Sequence, residues 1–206
     1  AKKVLYEEYH LSKEALCEAS YERNTINVDH AARTIANFNP DVIFFFSTYS
    51  PSRVLLEKIE LHRISKVTLM GISFITDLFR DFASGIWDPE QQGKGLTFII
   101  SRVVPNPEDS TIEIVREYQL EMQKEYPDVR FDVGSLEGYI TASILLDILK
   151  KIGRPFTHER IIREIEKIKD TDFKGLPMNF NPLTRGLSKD VWLELEDGKW
   201  IHAQSE

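Results

Sequence analysis

From Asp41 to Phe46 the chain reads Asp-Val-Ile-Phe-Phe-Phe. An unbroken apolar run this short, between segments with helical periodicity, predicts a strand covered on both faces, as in a parallel sheet under helices. The segments around it repeat the alternation. Residues 27–38 carry Ala31, Ala32, Ile35 and Phe38 at three- and four-residue spacing and predict a helix. Residues 15–21 predict the strand before it, and residues 2–11, with Val4, Leu5 and Leu11 among charges, the end of an earlier helix. After the run, Ser50 is placed as an N-cap and Pro51 in the first turn of a helix that buries Val54, Leu55, Ile59 and Leu61. Residues 66–70 predict a strand, 75–82 a short helix, and 96–103 a further strand beyond the polar stretch 87–95. Strands alternating with helices imply right-handed crossovers, so the expected fold class is α/β, a doubly wound, mainly parallel sheet with helices on both faces.

The second half changes character. Pro105-Asn-Pro107 interrupts the chain before a predicted amphipathic helix over 110–124. A second helix, 135–151, is nearly all apolar at Ile144, Leu145, Leu146, Ile148 and Leu149, and a third, 157–168, opens on Thr157 as cap with Glu159 in its first turn. Strands are expected over 173–180, 191–195 and 200–202, with turns at Asn181-Pro182 and Asp197-Gly198. Asp-Gly between alternating apolar positions is a strong hairpin signal. C-terminal helices and a β-hairpin thus follow the α/β region.

Composition narrows the function classes. With 26 basic against 33 acidic residues the net charge is -7, spread along the chain, and no basic stripe offers itself to nucleic acid or an anionic membrane. The longest apolar stretches, 42–46 and 140–149, fall far short of the roughly 20 residues that cross a bilayer. No signal peptide is visible at the N-terminus. The single cysteine, Cys17, beside Leu16 and Ala19, reads as a half-buried strand position rather than a reactive thiol.

No catalytic constellation emerges. The histidines at 10, 30, 62, 158 and 202 share no i, i+4 pair, whereas zinc needs three or four convergent ligands, so neither metal nor cofactor is expected. There is no nucleophile elbow, and Gly93-Lys94-Gly95 lacks the helix that a phosphate cradle uses. Acid pairs such as Glu7 with Glu8 or Asp77 with Asp81 read as solvated charges. Two strand ends do attract notice, because open parallel sheets bind ligands beyond the carboxyl ends of their strands. Thr48, Tyr49 and Ser50 follow the phenylalanine run, and Ser73 and Phe74 follow the next strand. Two aromatic rings and three hydroxyls are the usual make-up of a small-molecule site, although Ser50 serves equally well as a helix cap.

Seven phrases occur in a collinear order that resembles the type I periplasmic solute-binding proteins of the branched-chain amino-acid kind. They are Glu18-Ala-Ser-Tyr-Glu-Arg-Asn-Thr25, Pro40-Asp-Val42, Ser47-Thr-Tyr-Ser-Pro51, Met70-Gly-Ile-Ser-Phe74, Arg102-Val-Val-Pro-Asn-Pro107, Leu136-Glu-Gly-Tyr139 and Gly175-Leu-Pro-Met-Asn-Phe180, followed by Asp197-Gly198-Lys199. The resemblance implies two α/β lobes joined by crossing strands, with a ligand enclosed by hinge closure. It assigns residues 1–128 and 172–206 to the second lobe, lacking its first strand, and 129–171 to a return into a first lobe that is mostly absent. It also implies an exported binding protein, periplasmic or extracellular, working with an ABC transporter permease. The extracellular sensor of a signalling receptor is the alternative reading, and an α/β enzyme a more distant one.

By the same resemblance, Tyr49 matches an aromatic residue that packs on the ligand, and Ser73 falls where amino-acid binders carry an acid for the ligand ammonium. Asp77, one helical turn on, is placed to compensate, yet the simplest implication is a ligand other than an ordinary α-amino acid. Glu137 and Tyr139 fall at the lobe crossing, as hinge or as cleft residues, with the hinge favoured. The apolar middle of the 135–151 helix is expected to be covered by a first lobe outside these residues or by a second chain.

Overall fold

A computed structural model describes residues 2–59, 67–75, 82–83, 85 and 96–203. The chain divides into two compact units. Residues 1–101 with 195–198 form one, and 102–194 with 199–206 the other. The fold is α/β with a mixed, mostly parallel sheet.

In the first unit, β1 (Val42–Phe45) pairs in parallel with β2 (Val67–Gly71), with Val42 opposite Thr68 and Phe45 opposite Gly71. β2 pairs in parallel with β3 (Leu96–Arg102). α1 (Lys2–Glu7), α2 (Asp29–Phe38) and α3 (Tyr49–Lys58) precede and follow β1. α2 stops where the sequence says it should: Asn39 adopts the left-handed conformation at φ 52°, its N–H donates to the carbonyl of Ile35, and Pro40 prevents continuation. The core joins Ala31 and Ala32 of α2, Leu55 and Leu56 of α3, Ile43 and Phe45 of β1, and Val67 and Leu69 of β2.

Two expectations for this unit are corrected. The phenylalanine run is not covered on both faces: Ile43 and Phe45 are buried, whereas Val42 and Phe44 are 40% and 49% exposed and Phe46 is exposed with them. Residues 15–21 do not form a strand. A short 3-10 turn, Lys13–Ala15, leads into a segment that belongs to no sheet, although Leu16 is extended at φ −123° and ψ 121°. β-structure requires a partner on at least one side, and none of the described strands lies beside this segment. Cys17 is half-buried, as expected, but in that irregular segment. Most of the short helix expected over 75–82, and the polar stretch 87–95, lie outside the described residues.

The second unit is built on α4 (Glu113–Glu125), α5 (Val133–Ile152) and α6 (His158–Glu166). α5 begins two residues earlier than its apolar pattern implies because Asp132 caps it, accepting from the N–H groups of Gly134 and Ser135 at 2.8 and 3.0 Å. Thr157 caps α6 as expected, accepting from Arg160 N–H. Arg160 in turn donates to the carbonyls of Ile152, Gly153 and Pro155, closing the C-terminal end of α5. The core here is Val104, Ile114, Val115, Tyr118, Leu136 and Ile140.

The strand expected over 173–180 is instead two short strands, β4 (Thr171–Phe173) and β5 (Leu176–Met178), folded back antiparallel. Lys174 and Gly175 form the turn with φ of 54° and 89°, the two positive angles of a type I′ hairpin. β6 (Val191–Leu195) and β7 (Trp200–Ala203) form the expected hairpin, with Gly198 at φ 76° in its turn.

Candidate functional site

Because β1 and β2 are parallel neighbours, their carboxyl ends lie on the same edge of the sheet. That arrangement brings the residues after β1 next to those after β2. Ser47 is half-buried and shares a hydrogen bond of 2.7 Å with the Tyr21 hydroxyl. Thr48 is the N-cap of α3 in extended conformation, at φ −98° and ψ 172°. Its carbonyl accepts from Ser52 N–H, while its hydroxyl makes no cap bond and is exposed. Ser50, expected as the cap, is instead inside the first turn and exposed, with Pro51 beside it as anticipated. Both hydroxyls therefore remain available to a ligand.

Tyr49 packs against the core with part of its ring exposed. One turn along α3, the Arg53 guanidinium pairs with Glu57 at 3.2 Å and sits 4.8 Å over the Phe82 ring. The ion pair with Glu57 raises the Arg53 pKa further above its ordinary value, so this cation is fixed at every accessible pH. After β2 the chain turns tightly, Ile75 N–H donating to the Ile72 carbonyl at 2.8 Å. The turn buries Ile75 and leaves Phe74 69% exposed at its corner, with Ser73 half-buried beside it. Gly71 leaves room at the turn's entry, since a Cβ there would press on Ile75 Cδ1 at 3.0 Å. Ser101, at the end of β3, donates to the Gly71 carbonyl. Asp77 lies outside the described residues.

Sequence reasoning thus marked Thr48, Tyr49, Ser50, Ser73 and Phe74, and all five are at this edge. It named Ser47 at the same strand end without assigning it to the site, and it missed Tyr21 and Ser101. Ser47 and Ser101 follow apolar runs in the same way as Ser73, and that position was the available signal. Tyr21 carried none, because only the folded chain brings it to Ser47. Among the described residues no cluster of His, Cys, Asp or Glu could hold a metal ion.

The remaining two marked residues lie in the second unit, on α5. Glu137 is exposed. Tyr139 packs edge-on against Tyr118 with ring centres 5.7 Å apart, and Tyr118 packs on Phe131 at the same distance. Burial, and secondarily the negative charge of Glu117, hold the Tyr139 phenol above its ordinary pKa. Tyr118 anchors this group, its hydroxyl 2.6 Å from Ser135 Oγ and within reach of the Asp132 backbone. An apolar concavity of about 320 Å³ opens between α4 and α5, walled by Met122, Tyr126, Gly138 and Tyr139. A smaller one of about 130 Å³ lies between α5 and α6 and is crossed by charged side chains, including Lys151 and Glu164. The larger one is also lined by Tyr118 and Ser135, whose hydroxyls are bonded to each other.

No family model and no curated protein sequence matches the chain. Solved structures do. It is similar to a possible leucine/isoleucine/valine-binding protein from Rhodopirellula baltica, at 21% identity and a TM-score of 0.77 over 98% of this chain and 54% of that one. It is similar to a substrate-binding periplasmic protein from Ralstonia solanacearum, at 23% identity and a TM-score of 0.70 over 90% of this chain and 52% of the other. A leucine-binding protein from Thermotoga maritima aligns at 16% identity and a TM-score of 0.62, over 89% and 49%. The chain therefore has the fold of a type I periplasmic binding protein lobe, and spans about half the length of the solved proteins it matches.

Proposed function

We propose that the chain is the larger part of one lobe, with a return segment into the other, of an extracytoplasmic solute-binding protein that delivers a small organic molecule to an ABC transporter permease. The observation that carries this reading is that Thr48, Tyr49, Ser50, Ser73 and Phe74 follow the carboxyl ends of two neighbouring parallel strands. Aromatic rings there offer an apolar platform and the hydroxyls offer directed hydrogen bonds, the composition of a site for a neutral or weakly polar solute. The names of the solved neighbours point the same way. The protein would work in the periplasm or outside the cell, non-catalytically, with the ligand enclosed between two lobes. Glu137 and Tyr139 would then serve the hinge.

Ser73 narrows the ligand. A hydroxyl cannot neutralise an ammonium enclosed between lobes, where an unpaired charge is costly. We therefore assign the site to solutes without a free ammonium. Thermal-shift screening of the longest natural polypeptide containing this chain tests the assignment, with neutral and anionic organic solutes set against L-leucine. Neutral or anionic solutes should stabilise it and L-leucine should not, while Tyr49→Ala should weaken binding about 30-fold, the loss of about 2 kcal/mol of aromatic contact. Stabilisation by L-leucine alone would overturn the ligand class. Binding untouched by Tyr49→Ala would move the site elsewhere.

A further inference from the structure

Gly138 lies inside α5, where glycine is the weakest helix former after proline. Neither backbone nor packing calls for it. The residue is helical, it is exposed, and a Cβ built there meets no atom within 4 Å. Yet Gly138 lines the larger concavity of the second unit, so a side chain at this position would grow into that space of about 320 Å³. What the glycine supplies is room, enough for a small organic molecule.

The surroundings select its chemistry. Tyr118, Glu121 and Glu125 recur at three- and four-residue spacing along α4, so one face of that helix is turned to the concavity. Tyr139 of α5 and Tyr126, just past the end of α4, add two further rings. Among the described residues no lysine or arginine lines the space. Lys124 pairs with Glu125 at 2.8 Å and with Glu121 at 3.9 Å without lining it, through exposed contacts of the kind that hold a charge loosely. The carboxylate field reaches the aromatic wall. After burial, the charges of Glu117 and, more weakly, Glu121 hold the Tyr139 phenol above its ordinary pKa, against the opposing charge of Lys174.

Tyrosine rings attract a cation over their faces, and nearby carboxylates add to that attraction. The Tyr118 and Ser135 hydroxyls are already bonded to each other at 2.6 Å, so this wall favours an ion with an apolar shell over one that must replace several hydrogen bonds to water. An ammonium whose hydrogens are replaced by alkyl groups has that shell. We propose that the concavity between α4 and α5 binds a small organic cation of the alkylated-ammonium class, seated against Tyr126 and Tyr139 with Glu121 and Glu125 as counter-charges. Gly138 leaves the space the ion fills. The inference rests on the second unit alone and is independent of what the strand ends of the first unit bind.

Choline and 3,3-dimethylbutanol, its neutral counterpart of the same shape, are the probes, titrated by NMR into the longest natural polypeptide containing this chain. Choline should shift the Tyr139 ring resonances saturably, and the neutral alcohol should bind at least about 10-fold more weakly. Glu121→Gln combined with Glu125→Gln should weaken choline about 5-fold or more while leaving the alcohol unchanged. Gly138→Leu should abolish the choline shifts while the melting temperature holds or rises, because the new side chain enters open space and favours the helix. No saturable shift, or equal affinity for the two probes, would overturn the proposal. So would choline shifts that survive Gly138→Leu, which would place the cation elsewhere, or a lower melting temperature in that variant, which would mean that polypeptide already fills the space.

Discussion

Arg102 and Glu194 are 3% and 7% exposed, and the guanidinium contacts one carboxylate oxygen through both Nε, at 2.8 Å, and Nη2, at 2.6 Å. Burying two charges costs several kcal/mol each, which their attraction and hydrogen bonds must offset. Removing one partner therefore does more harm than removing both. Glu194→Leu should destabilise the protein by about 3–5 kcal/mol, whereas Arg102→Met combined with Glu194→Leu should recover most of that, as read from urea unfolding midpoints. Ser52 presents the opposite case. Its Oγ is buried in α3 with no hydrogen-bond partner, so Ser52→Ala removes an unsatisfied group and adds helix propensity. It should raise stability by about 1 kcal/mol, and a destabilised variant in thermal denaturation would refute this account. Neither feature is legible in the sequence. The ion pair joins residues 92 apart, and a serine in a helix is ordinarily exposed.

The elements divide into those whose signals are local and those that need a neighbour. α2 carries its own apolar stripe and its own stop at Asn39, and α6 its own cap at Thr157, so both were legible. The turn that splits β4 from β5 was missed because Lys174 holds a positive φ that asparagine or glycine usually signals. Residues 15–21 have strand composition but no partner, and pairing cannot be read from one segment. The middle of α5 is nearly all apolar, yet only Leu136, Ile140 and Ile148 of the helix are buried. Leu145 and Leu146 are exposed, Leu146 by 56%, as expected of a helix meant to be covered. Replacing both by glutamate should leave the fold of the 206-residue chain intact and reduce its self-association in sedimentation velocity. In a longer polypeptide whose first lobe covers this face, the same pair should instead lower the melting temperature. Tolerance in both would mean that α5 faces solvent.

For the whole molecule, the fold class was legible because apolar runs at 42–46, 66–70 and 96–103 recur between helix-period segments, a pattern that admits few arrangements besides a parallel sheet. The site was legible to the extent that strand ends are general binding positions. Its supporting residues, Tyr21 foremost, were not, because they arrive through tertiary packing. The parallel pairing of β1 with a strand that follows it in the chain also bears on how such a protein is made. Translation delivers residues N-terminus first at about 5–20 per second, so β1 leaves the ribosome seconds before β2 can pair with it. Until then Val42, Phe44 and Phe46 have no strand to pair beside. Circularly permuting the gene so that β2 is translated before β1 would give the phenylalanine run a waiting partner as it emerges, when chaperones and neighbouring nascent chains compete for it.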